Sequence, residues 1–306
     1  MKFGVPLPIG HISPPGEFQS MAAVRELAQG VEALGIDGVS TSEHPIPDAE
    51  WLRSDPTGHD CVDPFTALAF VAAMTSRLKV YTNVLVLPYR NPFLTAKAAS
   101  TLAVLSDNRL MLGVGIGYQK AEFEALGVPF KERGPLTDEA LETIRQVWAG
   151  GPIVKQGRYF HATGNEARPV PSPTPPIWIG GGSDAAIVRA ARLGDGWIPH
   201  FSVPTNDPII MKASVVSMRH FAEKTARLRE LREEYGQTGP FDIAPRPPVT
   251  PKALDRAEAD QFLEAVHQLH EAGANWVWTP LPAPSRAGFL ENAAWYAEEV
   301  IARFRA

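Results

Sequence analysis

Of the eight histidines in the 306 residues, His44 stands directly after an apolar run, in the tetrad Ser42-Glu43-His44-Pro45. An imidazole titrates near neutrality, so a histidine there suits proton exchange with a substrate or a cofactor. The placement suits equally a histidine that only caps the loop backbone, and spacing does not choose between the two. A second run ends in Gly113-Val114-Gly115-Ile116-Gly117-Tyr118. Its glycines fall at every second position, unlike the GxGxxG of dinucleotide sites, and no acidic residue follows at the proper distance after a second strand. Alternating glycines clear one face of a strand, either for a flat ligand or for tight packing of a neighbour. A third feature, Gly180-Gly181-Gly182-Ser183-Asp184, precedes a helical segment. It reads as a phosphate cradle of freed backbone N–H groups, or as a turn in which Ser183 or Asp184 is the N-cap.

Other candidates carry less. His200 follows an apolar run, but Trp197 and Phe201 beside it fit an ordinary packed histidine. His267 and His270 lie three apart on an outer helix without a third ligand, so a solvated face is the reading and no metal is expected. No lysine or paired carboxylates follow the runs identified here, which disfavours a phosphate-binding isomerase or lyase.

These residues need elements to position them. Apolar runs of strand length alternate with segments of helical period, predicting a (β/α)8 TIM barrel, α/β in class. It is read as one domain over residues 1–306, with an insertion between strands four and five at about 127–176. Residues 79–87 read as one buried strand. Pro92 opens a helix with Leu94, Ala98, Thr101, Leu102 and Leu105 on one side. Within the insertion, a helix over 137–149 is capped by Thr137 and precedes a Gly- and Pro-rich stretch of hairpin character. A polar helix spans 208–235, strands fall near 241–244 and 276–279, and a helix over 289–304 closes the chain. An open doubly wound sheet is the rival, but it needs about six strands and a dinucleotide fingerprint. Barrel chemistry sits at the carboxyl ends of the strands, where His44, Tyr118 and Ser183 all fall. Loops 45–63 and 201–208 are expected to select the substrate.

A formal net charge of −5 and an isoelectric point near 5.9 leave no basic footprint for nucleic acid. Expected partners are a small-molecule substrate and a second copy of the chain. The single cysteine, Cys61, excludes an internal disulfide or a cysteine zinc cluster, in keeping with a reducing compartment. No signal-peptide core and no membrane-length apolar stretch is seen, so a soluble, cytoplasmic protein is expected.

Two stretches resemble the luciferase-like monooxygenase superfamily, in its branch of coenzyme F420-dependent oxidoreductases. They are NVLVLPYRNPFLTAKAASTLAVLSDNRLMLGVGIGYQKAEFEALGVPFKERG, beginning at Asn83, and PPIWIGGGSDAAIVRAARLGDGWIP, ending at Pro199. With the Ser-Glu-His triplet they span strands one to six; the last hundred residues resemble the family only in element order. The resemblance implies that His44 contacts an isoalloxazine-like ring and assists proton transfer or substrate orientation. Glu43 matches the acidic position before it. Asn83 and Val84 match a non-prolyl cis peptide that backs the ring, Gly115, Ile116, Gly117 and Tyr118 match the strand-four contacts, and Gly180, Gly181, Gly182 and Ser183 match the phosphate-binding turn.

The implied activity is hydride transfer between F420 and a small organic substrate. An FMN-dependent monooxygenase using dioxygen and a non-catalytic flavin-binding barrel are the alternatives, and a homodimer is implied. Two positions depart from the sugar-oxidising members. Those carry a glutamate where Tyr118 stands, and a tryptophan four residues after the histidine, where this chain has Asp48. Sugar-phosphate oxidation by that pair is not expected.

Overall fold

A computed structural model describes the chain except residues 12–15, 55–60, 202–207 and 253. Eight parallel strands form a nearly closed barrel. In spatial order they are β11 (Trp276–Trp278), β1 (Lys2–Pro6), β2 (Gly38–Thr41), β3 (Lys79–Thr82), β5 (Leu110–Gly115), β8 (Ile177–Gly180), β9 (Gly196–Ile198) and β10 (Asp242–Ile243). The short β4 (Leu85–Val86) adds to β5. Register runs Gly4 beside Gly38, Val39 beside Val80, Leu112 beside Ile177 and Trp178 beside Gly196. The seam between β10 and β11 is bridged by Asn275 N–H to Ile243 O (3.1 Å), Trp278 N–H to Pro245 O (3.2 Å) and Ile243 N–H to the Asn275 side-chain oxygen (2.8 Å).

Side chains alternate across each strand, and this separates two cores. Outward residues such as Val5, Val39, Val80, Leu112, Ile179 and Val277 meet the helices. Inward residues Tyr81, Met111, Trp178, Ile198, Ala244 and Trp276 fill the barrel, with Val84 and Trp278 packed on them. Three such bulky rings fit because small residues face them: a Cβ on Gly196 would lie 2.3 Å from Trp178 Cδ1.

The outer ring comprises α1 (Met21–Ala33), α3 (Pro64–Met74), α4 (Pro92–Leu105), α6 (Arg133–Ala149), α7 (Asp184–Leu193), α9 (Met218–Glu234), α10 (Arg256–Glu271) and α11 (Arg286–Trp295). Side-chain oxygens of Ser20, Asp63, Asn91, Ser183, Ser217, Asp255 and Ser285 cap seven of them. Three short helices, α2 (Ala49–Ser54), α5 (Lys120–Ala125) and α8 (Pro208–Lys212), lie in loops.

Several expectations are corrected. The run 79–87 is two strands separated by a cis peptide between Asn83 and Val84. On α4 the inward face is Thr95, Ala96, Ala99, Leu102 and Ala103, whereas Leu94 and Leu105 are 71% and 80% exposed. The apolar residues run round most of this helix, so the stripe read from spacing was one of two. Helix α6 begins four residues before Thr137, whose hydroxyl bonds back to Arg133 O at 2.7 Å and does not cap it. It packs between α4 and α7 in the ring, with Trp148 Nε1–H donating to Ala96 O at 3.2 Å. Much of what residues 127–176 add is therefore the antiparallel hairpin of β6 (Ile153–Gln156) and β7 (His161–Asn165). The polar helix 208–235 breaks into α8 and α9, because the Ser217 hydroxyl accepts the His220 N–H and starts a new helix. The closing helix passes through a π-turn at Tyr296–Ala302.

Candidate active site

The carboxyl ends of the strands gather His44, Tyr118, Val84, Gly180, His200, Arg246 and Trp278 around one mouth. His44 is held from one side by a residue that sequence reading missed. Its Nδ1–H donates to Glu122 Oε2 at 2.9 Å, and the two side chains are 8% and 0% exposed. Glu122 sits on α5 and also accepts from Ile46 N–H (3.2 Å) and from Tyr89 O–H (3.0 Å). Burial, followed by the Glu122 charge, pushes the Tyr89 phenol well above its usual range, so it remains a donor. A carboxylate on Nδ1 sets the tautomer of a neutral imidazole and leaves Nε2 facing the mouth as an acceptor. Tyr118 O–H lies 3.3 Å from that nitrogen.

The Trp51 ring centroid lies 5.0 Å from His44 and 6.5 Å from Tyr118. Asp48, the position that departs from the sugar-oxidising pattern, accepts from Glu50 N–H and Trp51 N–H at 2.9 and 3.0 Å. It thereby starts the short helix that carries an indole to His44 by another route.

Glu43 performs a different task from His44. Its carboxylate accepts from Val86 N–H (2.6 Å) and from Arg90 Nε–H (2.7 Å), just beyond the Asn83–Val84 bond. Burial raises its pKa, outweighing Arg90 and the Val86 N–H. The oxygens of Glu43 are committed to holding the β4 backbone in place.

The alternating glycines make room for protein. A Cβ on Gly113 would lie 2.0 Å from Thr82 O, one on Gly115 2.7 Å from Val84 Cγ2, and one on Gly117 2.6 Å from Val86 Cγ1. Gly180 approaches Val84 from the other side, at 2.9 Å from Cγ1. Val84 is thus seated in a notch between β5 and β8, presenting an apolar floor at the mouth. In the glycine turn, Gly181 N–H and Gly182 N–H donate to Ile198 O and Ala213 O at 3.0 and 2.6 Å. Ser183 caps α7 by accepting from Ala186 N–H at 3.3 Å. The backbone N–H groups of Ser183, Asp184 and Ala185 are those left at the helix start for an anion. Lys224 Nζ lies 2.9 Å from the exposed Asp184 and, by that hydrogen bond, lowers its pKa.

Between Trp51, His44, Tyr118 and the Val84 floor there is the chemistry for a flat conjugated ring: apolar faces, one proton-bearing edge and an anion-binding helix start beyond. His267 and His270 are exposed on α10 and contact Phe304, away from the mouth. Among the described residues no group of three or more metal-ligating side chains occurs, and no helix is long and apolar enough to cross a membrane. The expected substrate loops lie partly outside the described residues, at 55–60 and 202–207.

The luciferase-like monooxygenase family matches residues 1–298, and the chain belongs to that family. A relative from Mycobacterium tuberculosis (strain ATCC 25618 / H37Rv), the uncharacterized protein Rv0940c, is 35% identical over 71% of this chain and 74% of its own length. The F420-dependent glucose-6-phosphate dehydrogenase of Gordonia bronchialis is 33% identical over 56% of this chain and about half (51%) of the relative. Among solved structures, the FMN-bound oxygenating constituent of 3,6-diketocamphane monooxygenase from Pseudomonas putida superposes with a TM-score of 0.75. It is 15% identical and covers 99% of this chain and 98% of its own, a likeness of fold. Relatives and fold neighbours thus include F420-dependent dehydrogenases and a monooxygenase component solved with FMN.

Proposed function

We propose that this protein is an oxidoreductase that moves a hydride between the deazaflavin coenzyme F420 and a small organic substrate. The observation that carries the reading is the buried Glu122–His44 pair at 2.9 Å beside Tyr118. It supplies one oriented proton-transfer nitrogen over an apolar floor. F420, when bound, supplies the carbon that accepts or donates the hydride. Tyr118, Trp51 and Val84 are suited to hold its ring, and the N–H groups at Ser183, Asp184 and Ala185 its phosphate. His44 Nε2 takes the proton that leaves an alcohol as its hydride departs, or returns one in reduction. Glu122 keeps that nitrogen aimed and favours the imidazolium as it forms. Support for F420 over FMN comes from the Gordonia relative and from the run beginning at Asn83.

The test is a fluorescence titration of the purified protein with F420 and, separately, with FMN. Tight F420 binding with weak FMN binding is expected; the reverse overturns the cofactor and favours an oxygen-using monooxygenase. His44→Ala is expected to lower turnover by about 10²–10⁴-fold with cofactor affinity largely kept. Lost affinity with unchanged turnover of the bound fraction would contradict the role given to His44.

We also propose that the working form is a homodimer built on α3 and α4. Helix α3 has no charged residue and α4 has only Lys97, and helices apolar all round are normally buried all round. Between them runs a groove lined by Phe65, Ala69, Ala98 and Leu105, with Leu94 exposed on the same outer face of α4.

A further inference from the structure

Across the mouth from His44 lies a cation that the proposed mechanism does not use. Ala244 is part of the barrel interior, whereas Ile243 before it belongs to the outer core. Strand alternation therefore turns Arg246, two residues beyond Ala244, toward the barrel axis above β10. Its surroundings agree with that direction. The guanidinium lies 5.9 Å from the ring of Trp278, which packs on the barrel interior. It also stands close enough to His200, two residues beyond the inward Ile198, to help burial depress that imidazole.

Among the described residues no carboxylate pairs with Arg246; its side-chain hydrogen bond goes to the Thr250 hydroxyl, at 2.9 Å. Burial lowers its pKa with no acid to offset it, yet an arginine stays protonated in proteins. Other partly buried arginines have their N–H groups answered: Arg90, Arg145 and Arg189 meet carboxylates of Glu43 and Asp63, Asp195, and Asp138, whereas Arg109, Arg133 and Arg232 donate to backbone carbonyls. A desolvated guanidinium without a counter-ion is costly unless an anion joins it. Beside it Trp278 Nε1–H, buried, has no acceptor among the described residues.

We propose that Arg246, with Trp278 Nε1 as a second donor, is an oxyanion subsite that binds a carboxylate or phosphate group of the substrate. This rests on the mouth being the oxidoreductase site, and it restricts the substrate class to anionic organic molecules. The bidentate fork of a guanidinium fits either group and would fix the far end of a substrate whose reacting carbon lies over the Val84 floor. The two ends of the mouth then divide the work: the phosphate of a cofactor goes to the α7 start above β8, and the anion of the substrate to Arg246 above β10.

The experiment is calorimetric titration of the purified protein with inorganic phosphate and with acetate, a readout that needs no turnover. Saturable binding of at least one of the two is expected, at least tenfold weaker in Arg246→Gln and unchanged in His44→Ala. Arg246→Lys, which keeps the charge and loses the fork, is expected to fall between them and stands in if the glutamine variant does not fold. No saturable binding of either anion, or binding that Arg246→Gln leaves intact, overturns the subsite. Repeating the titration with saturating F420 or FMN separates the two sources of oxyanion. Continued phosphate binding supports a substrate subsite, and displacement by the cofactor overturns it. Failure of both cofactors to bind, with Arg246-dependent phosphate binding intact, would sink the redox reading and leave the oxyanion site standing.

Discussion

Glu122 Oε2 accepts the Nδ1 proton of His44 at 2.9 Å, joining the loop after β2 to a helix 78 residues further on. The carboxylate is fully buried, so the imidazole is tethered from inside the protein while its other nitrogen turns toward Tyr118 at the mouth. Glu122→Gln keeps the size and loses the charge. Turnover is expected to drop about 10–100-fold, as for other residues that orient a reacting group through one hydrogen bond, with KM and cofactor affinity little changed. The distinguishing measurement is the cycle with His44→Ala. If Glu122 acts through His44, the double variant is no slower than His44→Ala alone; fully additive losses would assign Glu122 to the fold.

A second carboxylate, one residue before His44, is expected to report on stability. Glu43 is buried with Arg90 as its counter-ion, and its folded pKa is raised from the ordinary 4.5. A raised carboxylate contributes its full stability below that ordinary value and loses it as pH rises through the folded value. Arg90→Met removes the charge that opposes this rise, leaving a carboxylate alone in the interior. The variant is expected to lose about 3–5 kcal/mol at neutral pH, and the deficit should shrink toward pH 4–5 as Glu43 takes up a proton. Urea melts of both proteins across that range measure it. A deficit independent of pH would show that the lost packing of Arg90 matters more than the stranded charge.

These pairs mark where sequence reading stopped. The barrel was legible because doubly covered strands leave unbroken apolar runs and the helices between them keep a helical period. His44 was legible because it follows such a run directly. Glu122 and Trp51 were not: each lies on a six-residue helix, too short to show a period. Asp48 before α2 was a readable cap, and it was noted only as a departure from the family pattern. Arg246 stands two residues beyond the run 241–244, a strand-end position of the same kind as those of His44 and His200. The glycines of β5 were read as clearing a strand face, with ligand and neighbour both open. Only the placement of Thr82, Val84 and Val86 shows that the adjacent segment of the same barrel fills the space.

That filling makes Gly113 a sensitive position. A methyl group there would meet the Thr82 carbonyl at 2.0 Å and Ile198 Cδ1 at 3.0 Å. A backbone atom cannot rotate away as a side chain does, so the strands must part. Gly113→Ala is expected to cost roughly 1–3 kcal/mol or more, seen as a lower denaturant midpoint. An unchanged midpoint would mean that β3 and β5 separate without penalty at this level.

His200 is expected to make the protein acid-sensitive. Burial, and then the Arg246 charge, holds its folded pKa below the ordinary 6.5. A depressed histidine contributes stability that is complete above 6.5 and is lost as pH falls through the folded value, because the unfolded chain takes up the proton first. Thermal melts from pH 7.5 downward should show a decline beginning near 6.5, and His200→Gln should flatten it. Bound phosphate beside Arg246 would offset part of the repulsion and reduce the slope. An identical slope in the glutamine variant would move the acid sensitivity to another group.

The proposed dimer gives the last expectation. A chain of 33.3 kDa should scatter light as about twice that mass if α3 and α4 meet their counterparts in a second copy. Leu105 is 80% exposed and Leu94 71%, both projecting from α4 into solvent in the single chain. Neither contributes to the inward face of the helix, so Leu94→Glu with Leu105→Glu should leave the monomer folded while placing two carboxylates in each half of a paired face. Burying those charges unpaired is unfavourable by several kcal/mol, enough to shift a micromolar or weaker dimer to monomer. The mouth lies at the strand ends, away from this face, so cofactor binding should persist in the monomer. A wild-type monomer at working concentrations would end the proposal, as would a dimer that survives both substitutions unchanged.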